Sequence, residues 1–214
     1  MILINARISK KSYRRWRFFK KTFRNLINNF NYSLVQDEKT MKYFSKMGVL
    51  DSKFELTGTL KEGSTALPHS ETEQSKISKQ ILNRPVWLAA STHEGEEKLI
   101  AAAHKHASKA SQGLLLIIVP RHPERGLEIA ALLKKEKFRI GIRSKKDNIF
   151  SDTQIYIADT LGELGLWYRV ASVSFVGGSL VPIGGHNPFE PAALGSAILH
   201  GPYVKNFKEI YNRL

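Results

Sequence analysis

The residues best suited to chemistry lie in segment 175–195, where an apolar strand runs into two glycine pairs and a helix start. Its candidate residues are Gly178, Ser179, Gly184, Gly185, Asn187, Pro188 and Glu190. A strand, a glycine loop and a helix start together place backbone N–H groups against an anion. A carboxylate on the first helical turn is favoured by the helix dipole, and it could accept hydrogen bonds from two sugar hydroxyls. The segment therefore indicates a nucleotide-sugar site, although each piece alone is typical of a plain turn or a solvated cap.

The elements that must position this segment form a regular pattern from residue 85 onward. Strands are predicted at 86–90, 114–119, 139–143, 154–158, 173–176 and 197–200, and helices at 94–108, 123–135, 161–170, 188–194 and 207–214. Apolar strands that alternate with helices favour an α/β fold with a doubly wound parallel sheet. Ligands of such sheets bind beyond the carboxyl ends of the strands. Polar residues follow four of these strands, so the sequence predicts one site at that rim.

The loop after the first of these strands carries Ser91, Thr92 and His93. The two hydroxyls could bind an anion or simply cap a helix that opens at Glu94. His93, like His122 in the next loop, could be a metal ligand. Neither lies in the spacing of a zinc motif, so a hydrogen-bonding role is favoured.

The later rim loops offer a cation and backbone amides. Arg121 has a forked donor array suited to phosphate, although it could also be an ordinary surface arginine. In the loop 159–163, a backbone amide near Gly162 could read the edge of a base, and the polar side chains could cap a helix. No nucleophile with a paired base is evident, so the rim is predicted to bind anions and hydroxyls rather than to form a complete active site.

Composition limits the class of protein. The 214 residues are 42% hydrophobic and include no cysteine, which excludes disulfides and thiolate metal sites. No apolar run reaches the length of about 18 residues that a membrane-spanning helix needs. No signal peptide is recognised at the start, so a cytoplasmic location is expected.

The net charge of +14 is concentrated at the amino end, where residues 1–36 hold nine Lys or Arg and no acid. Such a block suggests an anionic partner, namely nucleic acid, phospholipid or a phosphorylated lipid. A basic helix is predicted over 12–28, with an apolar stripe of Trp16, Phe19, Phe23, Leu26 and Phe30. The stripe could pack into a domain core or, without that core, lie exposed and insert into a membrane. A polar stretch at 61–84 then predicts a linker that runs into a short helix near 75–82.

Six segments occur in an order that resembles one family. They are ILINARIS (2–9), STHEGEE (91–97), VPRHPER (119–125), DTLGEL (159–164), FVGGSL (175–180) and GGHNPFEPA (184–192). Together they are similar to 3-deoxy-D-manno-octulosonic acid (Kdo) transferases of lipopolysaccharide synthesis, and the similarity covers nearly the whole chain.

The resemblance implies a GT-B fold, in which two Rossmann-like domains face each other across a cleft. It implies transfer of Kdo from CMP-Kdo to a lipid A precursor, with inversion, without a cofactor or bound metal, and at the cytoplasmic face of the inner membrane. The donor-binding residues it implies are Pro120, Arg121, Gly162, Glu163, Leu164, Asn187, Pro188, Phe189 and Glu190, with the turn Gly184, Gly185 and His186 near the phosphate and Glu190 on the ribose hydroxyls. Ser91, Thr92, His93, Gly178 and Ser179 are further candidates.

Compared with the family, residues 1–60 are expected to be a remnant of the first domain, 61–84 a linker and 85–214 an incomplete donor-binding domain. The family's catalytic base, a glutamate, has no counterpart here. The chain alone is therefore expected to be inactive, unless a separate chain supplies the missing domain. Nucleic acid is not expected as a partner. The alternatives are a non-catalytic protein that binds anions or membranes, and another GT-B enzyme, such as a relative of lipid A disaccharide synthase or a nucleotide-sugar epimerase. A preference for CMP over UMP or UDP would distinguish a Kdo transferase from another GT-B enzyme.

Overall fold

The computed structural model describes residues 1–58 and 66–212, the side chain of Glu209 excepted. The chain divides into two compact units, Met1–Ser64 and Thr65–Leu214. The domain limits expected from the sequence, 1–60, 61–84 and 85–214, stay predictions. Residues 61–65 of the expected linker and the last two residues of the helix predicted at 207–214 lie outside the described residues.

The first unit is a three-stranded parallel sheet with helices. Its strands are β1 (Ile2–Ala6), β2 (Tyr32–Val35) and β3 (Phe54–Leu56), which pair in that order, and its helices are α1 (Lys10–Trp16), α2 (Lys20–Asn28) and α3 (Glu38–Lys46). Phe23 of α2 packs edge-on against Phe44 of α3, with ring centroids 5.5 Å apart, and Phe44 packs in the same way against Phe54. The unit therefore has a small core of its own.

This core corrects two expectations about the basic segment. The predicted helix 12–28 is interrupted by a 3-10 turn at Arg17–Phe19, which rotates the apolar stripe. Phe23 is buried and Trp16 packs against it, but Phe19 and Leu26 remain exposed. The expectation that Trp16, Phe19 and Phe23 would all lie exposed for want of a core is therefore wrong for Trp16 and Phe23.

The second unit is built on a six-stranded sheet in which every pairing is parallel. Its strands are β4 (Val86–Thr92), β5 (Leu115–Pro120), β6 (Ile140–Ile142), β7 (Ile155–Ile157), β8 (Val173–Val176) and β9 (Ala197–Leu199), in the order β6-β7-β5-β4-β8-β9. Its helices are α4 (Glu71–Ile81), α5 (Glu96–Ala107), α6 (Gly126–Lys135), α7 (Leu164–Val170), α8 (Phe189–Ala192) and α9 (Lys208–Tyr211). The predicted α/β class and parallel sheet are confirmed.

Both faces of this sheet are covered. Along β5 the side chains alternate between two cores, so that Leu115 and Ile117 pack with Trp167 of α7, whereas Leu116 and Ile118 pack with Ile129 of α6. Strands buried on both faces explain why the sequence of β5 is continuously apolar. Helix α4, which begins inside the expected linker, buries Ile77 and Ile81 in the first of these cores and so belongs to the second unit.

Candidate functional site

Loops that follow three strands meet at the carboxyl rim of the second sheet. Nε2 of His93, after β4, lies 2.8 Å from Nε2 of His186, which belongs to the loop after β8. The amide of Arg121, after β5, donates to the carbonyl of Thr92 over 3.0 Å. Parallel strands place their carboxyl ends together, so residues that are 28 to 93 positions apart in sequence become neighbours.

The first glycine loop, Gly178–Leu180, is already occupied by a carboxylate of this chain. Glu96, fully buried on the first turn of α5, accepts N–H donors from Gly178 at 2.7 Å, from Ser179 at 3.0 Å and from Leu180 at 2.9 Å. It also accepts the amide of His93 at 2.9 Å. This contact corrects the expectation that Gly178 and Ser179 present bare amides to a ligand anion, since the anion is Glu96.

The second glycine pair is closed by backbone hydrogen bonds of its own. The amides of Gly184 and Gly185 donate to the carbonyl of Gly178, and the amide of His186 donates to the carbonyl of Gly177 over 3.2 Å. Gly184 and Gly185 have φ values of +115° and +78°, which only glycine adopts without strain. The amides of this turn are therefore not free donors, and an anion beside it must be held by other groups.

Side-chain donors are present at the same rim. His93 and His186 are half-buried, and His122 stands edge-on to His93 with ring centroids 6.0 Å apart. Burial lowers the pKa of His93 and of His186, and the positive charge of Arg121 lowers both further. The two rings are therefore neutral at pH 7 in the free protein. One ring donates and the other accepts in their shared hydrogen bond.

Arg121 is exposed, and its guanidinium makes no hydrogen bond or ion pair with any described residue. Arg125, one turn later, is fully engaged, because it donates to Glu97 over 2.8 Å and contacts Glu128 at 3.5 Å. Arg125 therefore fixes the loop, whereas Arg121 is free to bind an anionic ligand. Pro120, which precedes Arg121, is the buried last residue of β5.

The two hydroxyls before α5 differ from their expected roles. Thr92 is fully buried and donates to Oε1 of Glu97 over 3.1 Å, so it neither caps a helix nor faces a ligand. Helix α5 begins at Glu96 after Gly95, and no side chain caps it. The helix start expected at Glu94 and the candidate role of Thr92 are both corrected. Ser91 is half-buried with a φ of +55°.

The loop after β7 is held from the neighbouring strand β6. Arg143, which follows β6, donates to Glu163 at 2.6 Å and 3.0 Å and also to Glu73 of α4 at 2.8 Å. These hydrogen bonds lower the pKa of Glu163, whose carboxylate also accepts the hydroxyl of Thr160. The side chain of Glu163 is thus engaged in fixing the loop.

The backbone of the same loop remains available. Gly162 is exposed with a φ of +83°, and Leu164 is the first residue of α7. Beside the loop opens a cavity of about 480 Å³ whose lining includes Glu73, Arg143 and Thr160. Among the described residues, no hydrogen bond or ion pair joins this loop to His93, His122 or His186.

Glu190 retains one free oxygen. Its Oε1 accepts the amide group of Asn187 at 3.3 Å, and Oε2 has no partner among the described residues. Asn187 in turn accepts the amide of Phe189 at 3.2 Å, just before a short helix that begins one residue later than the sequence suggested. Pro188 lies buried between them. The half-buried carboxylate is therefore fixed in direction and open to a hydroxyl donor.

Comparison with known proteins decides the family. The family model for 3-deoxy-D-manno-octulosonic-acid transferase (kdotransferase) matches residues 1–63. The 3-deoxy-D-manno-octulosonic acid transferase of Haemophilus influenzae is 37% identical over 216 residues, covering 100% of this chain and 50% of the relative, and that of Rickettsia felis is 36% identical, covering 98% and 45%. The crystal structure of the C-terminal CMP-Kdo binding domain of WaaA from Acinetobacter baumannii is 39% identical, with a TM-score of 0.62, and covers 66% of this chain and 75% of that one.

The chain belongs to the Kdo transferase family. It spans about half the length of the curated relatives it matches. The match to this solved domain shows a fold of the GT-B glycosyltransferase type. Among residues 1–58 and 66–212, no group of three or more His, Asp or Glu side chains is arranged to hold a metal ion. In the same described parts of the chain, no helix is long and apolar enough to cross a bilayer.

Two residues that the sequence analysis did not single out stabilise the loops of the rim. Glu96 ties α5 to the glycine loop, and Glu97 ties it to Thr92 and Arg125. The only local signal is a pair of adjacent glutamates at a helix start, which is ordinary there. Their burial depends on partners far away in the sequence.

Proposed function

We propose that the second unit binds CMP-Kdo and that this chain supplies the donor-binding part of a transferase that moves Kdo to a lipid A precursor, with the catalytic base coming from outside residues 1–214. The observation that carries the proposal is the 39% identity to a solved CMP-Kdo binding domain, combined with a free arginine and a fixed carboxylate at the rim where such a ligand binds. The names of the curated relatives support the reaction, in which a hydroxyl of the acceptor forms a bond to the anomeric carbon of Kdo while the bond to the phosphate breaks. CMP leaves with the bonding electron pair, and a base takes the hydroxyl proton.

The chemistry assigns a role to each donor-site residue. Arg121 neutralises the phosphate, because it is a forked cation with no competing carboxylate. Glu190 accepts hydrogen bonds from the ribose hydroxyls through its unpartnered oxygen, with Asn187 holding its direction. The exposed backbone at Gly162 faces the base. Arg121 supplies the positive charge beside the phosphate, and the proposal requires no bound metal.

Calorimetric titration with CMP tests these roles. Arg121→Ala and Glu190→Gln each remove a charged hydrogen bond, typically worth ~1.5–3 kcal/mol, so each should weaken CMP binding about tenfold or more. The matched controls are Lys135→Ala and Glu136→Gln, exposed residues at the end of α6 that lies away from the carboxyl rim. Their affinities should equal that of the wild type. Unchanged CMP binding in both Arg121→Ala and Glu190→Gln would refute the assignment.

The same proposal places the first unit against an anionic membrane at the cytoplasmic face, where a phosphorylated lipid acceptor lies. Phe18 and Phe19 are 73% and 64% exposed at the 3-10 turn, and the basic side chains of α1 and α2 flank them. Each Lys or Arg near such a surface contributes ~1 kcal/mol, and exposed aromatic rings insert at the interface.

Vesicle sedimentation tests the membrane contact. The chain should sediment with anionic vesicles at low salt and be released by high salt, and a Phe18→Ser/Phe19→Ser variant should bind more weakly. Phe150→Ser, which changes a ring that is 62% exposed in the second unit, is the control and should bind as the wild type does. Equal sedimentation with neutral and anionic vesicles would contradict the proposal, and so would tighter binding to nucleic acid than to vesicles.

A further inference from the structure

The donor phosphate of the proposed ligand meets few free donors at this rim. The amides of both glycine pairs are engaged: Gly177 donates to the carbonyl of Ala90 and Gly178 to Glu96, and the second pair donates to the carbonyl of Gly178. What remains beside them is the guanidinium of Arg121 and the imidazoles of His93 and His186. Neither Nδ1 atom of these two rings has a partner among the described residues.

The hydrogen bond between the rings fixes how many protons they carry. Two Nε2 atoms 2.8 Å apart share one proton, since two protons in that gap would repel and none would leave two lone pairs opposed. In the neutral pair, the donating ring is therefore bare at Nδ1 and the accepting ring carries a proton at Nδ1. A single further proton, taken up at the bare Nδ1, leaves the shared hydrogen bond intact and gives the pair two Nδ1–H donors.

Charges of both signs surround the pair. His93 faces Glu96 and Glu97, which favour its protonation, and it faces His122 and Arg121, which oppose it. His186 faces Glu96 on one side and His93 and Arg121 on the other. Nδ1 of His122 itself lies 3.6 Å from Oε1 of Glu124. Burial adds to the opposing side and favours the neutral pair, whereas a phosphate placed beside Arg121 would favour uptake of a proton.

We propose that the His93–His186 pair is a proton-linked anion site, in which binding of the donor phosphate draws one proton from solvent onto the pair. The charged pair and Arg121 then hold the phosphate together, and release of CMP returns the proton to solvent. This inference rests on the proposed function, because it assigns to these imidazoles the phosphate of the same ligand.

Titration calorimetry of the whole chain with CMP, in buffers of different ionisation enthalpy, counts the protons taken up. Near pH 7.5, uptake should approach one proton per CMP, and the association constant should fall about tenfold per pH unit above the pKa of the complex. CMP itself is a dianion at this pH, since its second pKa is near 6, so its own protonation contributes little. Cytidine, which lacks the phosphate, should cause no proton uptake.

Two variants and a control test whether the His93–His186 pair takes up the proton. His93→Gln and His186→Gln should each abolish the proton uptake and flatten the pH dependence between pH 7 and 8.5. His106→Gln, an exposed position on α5, should behave as the wild type does. Unfolding midpoints measured in parallel identify a variant that has lost its fold. In that case, imidazole NMR of the wild type decides, because the pair should gain a proton when CMP is added at pH 7.5.

The outcomes separate the two proposals. CMP binding that depends on Arg121 but takes up no proton overturns the inference and leaves the proposed function standing. Proton uptake that persists in both His93→Gln and His186→Gln also overturns it. No CMP binding by the wild type overturns both proposals.

Discussion

Replacing Glu96 by glutamine should damage the second unit far more than its conservative chemistry suggests. The fully buried carboxylate accepts four backbone N–H groups, two on each oxygen: Ser179 and Leu180 on Oε1, Gly178 and His93 on Oε2. The amide of glutamine keeps one accepting oxygen and turns an NH₂ group toward the other two donors. Two N–H groups, one buried and one partly buried, then lose their acceptor.

The magnitude follows from those two donors. An unsatisfied buried polar group costs ~1–3 kcal/mol, so Glu96→Gln should lower the free energy of unfolding by about 2–6 kcal/mol. The matched control is Glu94→Gln, which makes the same chemical change two residues earlier at an exposed position. Surface changes of this kind stay within about 0.5 kcal/mol of the wild type.

Equilibrium denaturant unfolding, followed by the tryptophan signal of Trp87 and Trp167 in the second unit, measures the difference. CMP affinity of the folded protein should fall as well, because the loop Gly178–Leu180 loses its anchor and the turn before His186 is hydrogen-bonded to Gly178. The reasoning fails if the two variants differ by less than about 0.5 kcal/mol, which would mean that Glu96 is not the acceptor for the loop.

Two further predictions concern stability. Burial lowers the pKa of His104 to about 4 from an ordinary value of 6.5, so the folded state keeps the ring neutral while the unfolded chain takes up a proton. Stability that is present above pH 6.5 is therefore lost as the pH falls toward 4, by ~3 kcal/mol from this ring. His104→Gln should reduce that loss, whereas the exposed control His106→Gln should leave it intact; equal pH profiles for the two variants would contradict the prediction. Gly177→Ala should lower the thermal midpoint, because the new methyl would collide with the carbonyl of Ser91. Gly113→Ala has open space and carries only the backbone strain of its φ of +73°, so its effect should be smaller. A Gly177→Ala midpoint at or above that of Gly113→Ala would argue against the close approach.

The architecture of the second unit could be predicted because its signals are local. Continuous apolar runs such as β5 mark strands that are buried on both faces, and glycines and prolines mark the ends of the elements. The rim position of His93 and Arg121 follows from the parallel sheet alone, since each comes directly after a strand, whereas His186 returns to the rim through the hydrogen-bonded turn at Gly184 and Gly185.

The hydrogen bonds and ion pairs of the rim could not be predicted, because they join residues that are far apart in the sequence. A strand followed by glycines predicts free amides, but at Gly178 they meet the carboxylate of Glu96, which is 82 residues away in the sequence. From the sequence, Thr92 is a candidate helix cap, but the helix begins only at Glu96, after the turn at Gly95. In the first unit, the 3-10 turn at Arg17–Phe19 divides an apolar stripe that a regular helix would have kept on one face.

Nucleotide selectivity tests the central claim most directly. The purified chain should be titrated with CMP and with UMP under the same conditions, since the two differ only at the edge of the base. The account predicts that CMP binds about tenfold more tightly or better, a difference of ~1.4 kcal/mol, and that Arg121→Ala weakens binding. Equal affinity for CMP and UMP, or tighter binding of UMP, would contradict the assignment of the second unit as a CMP-Kdo binding domain.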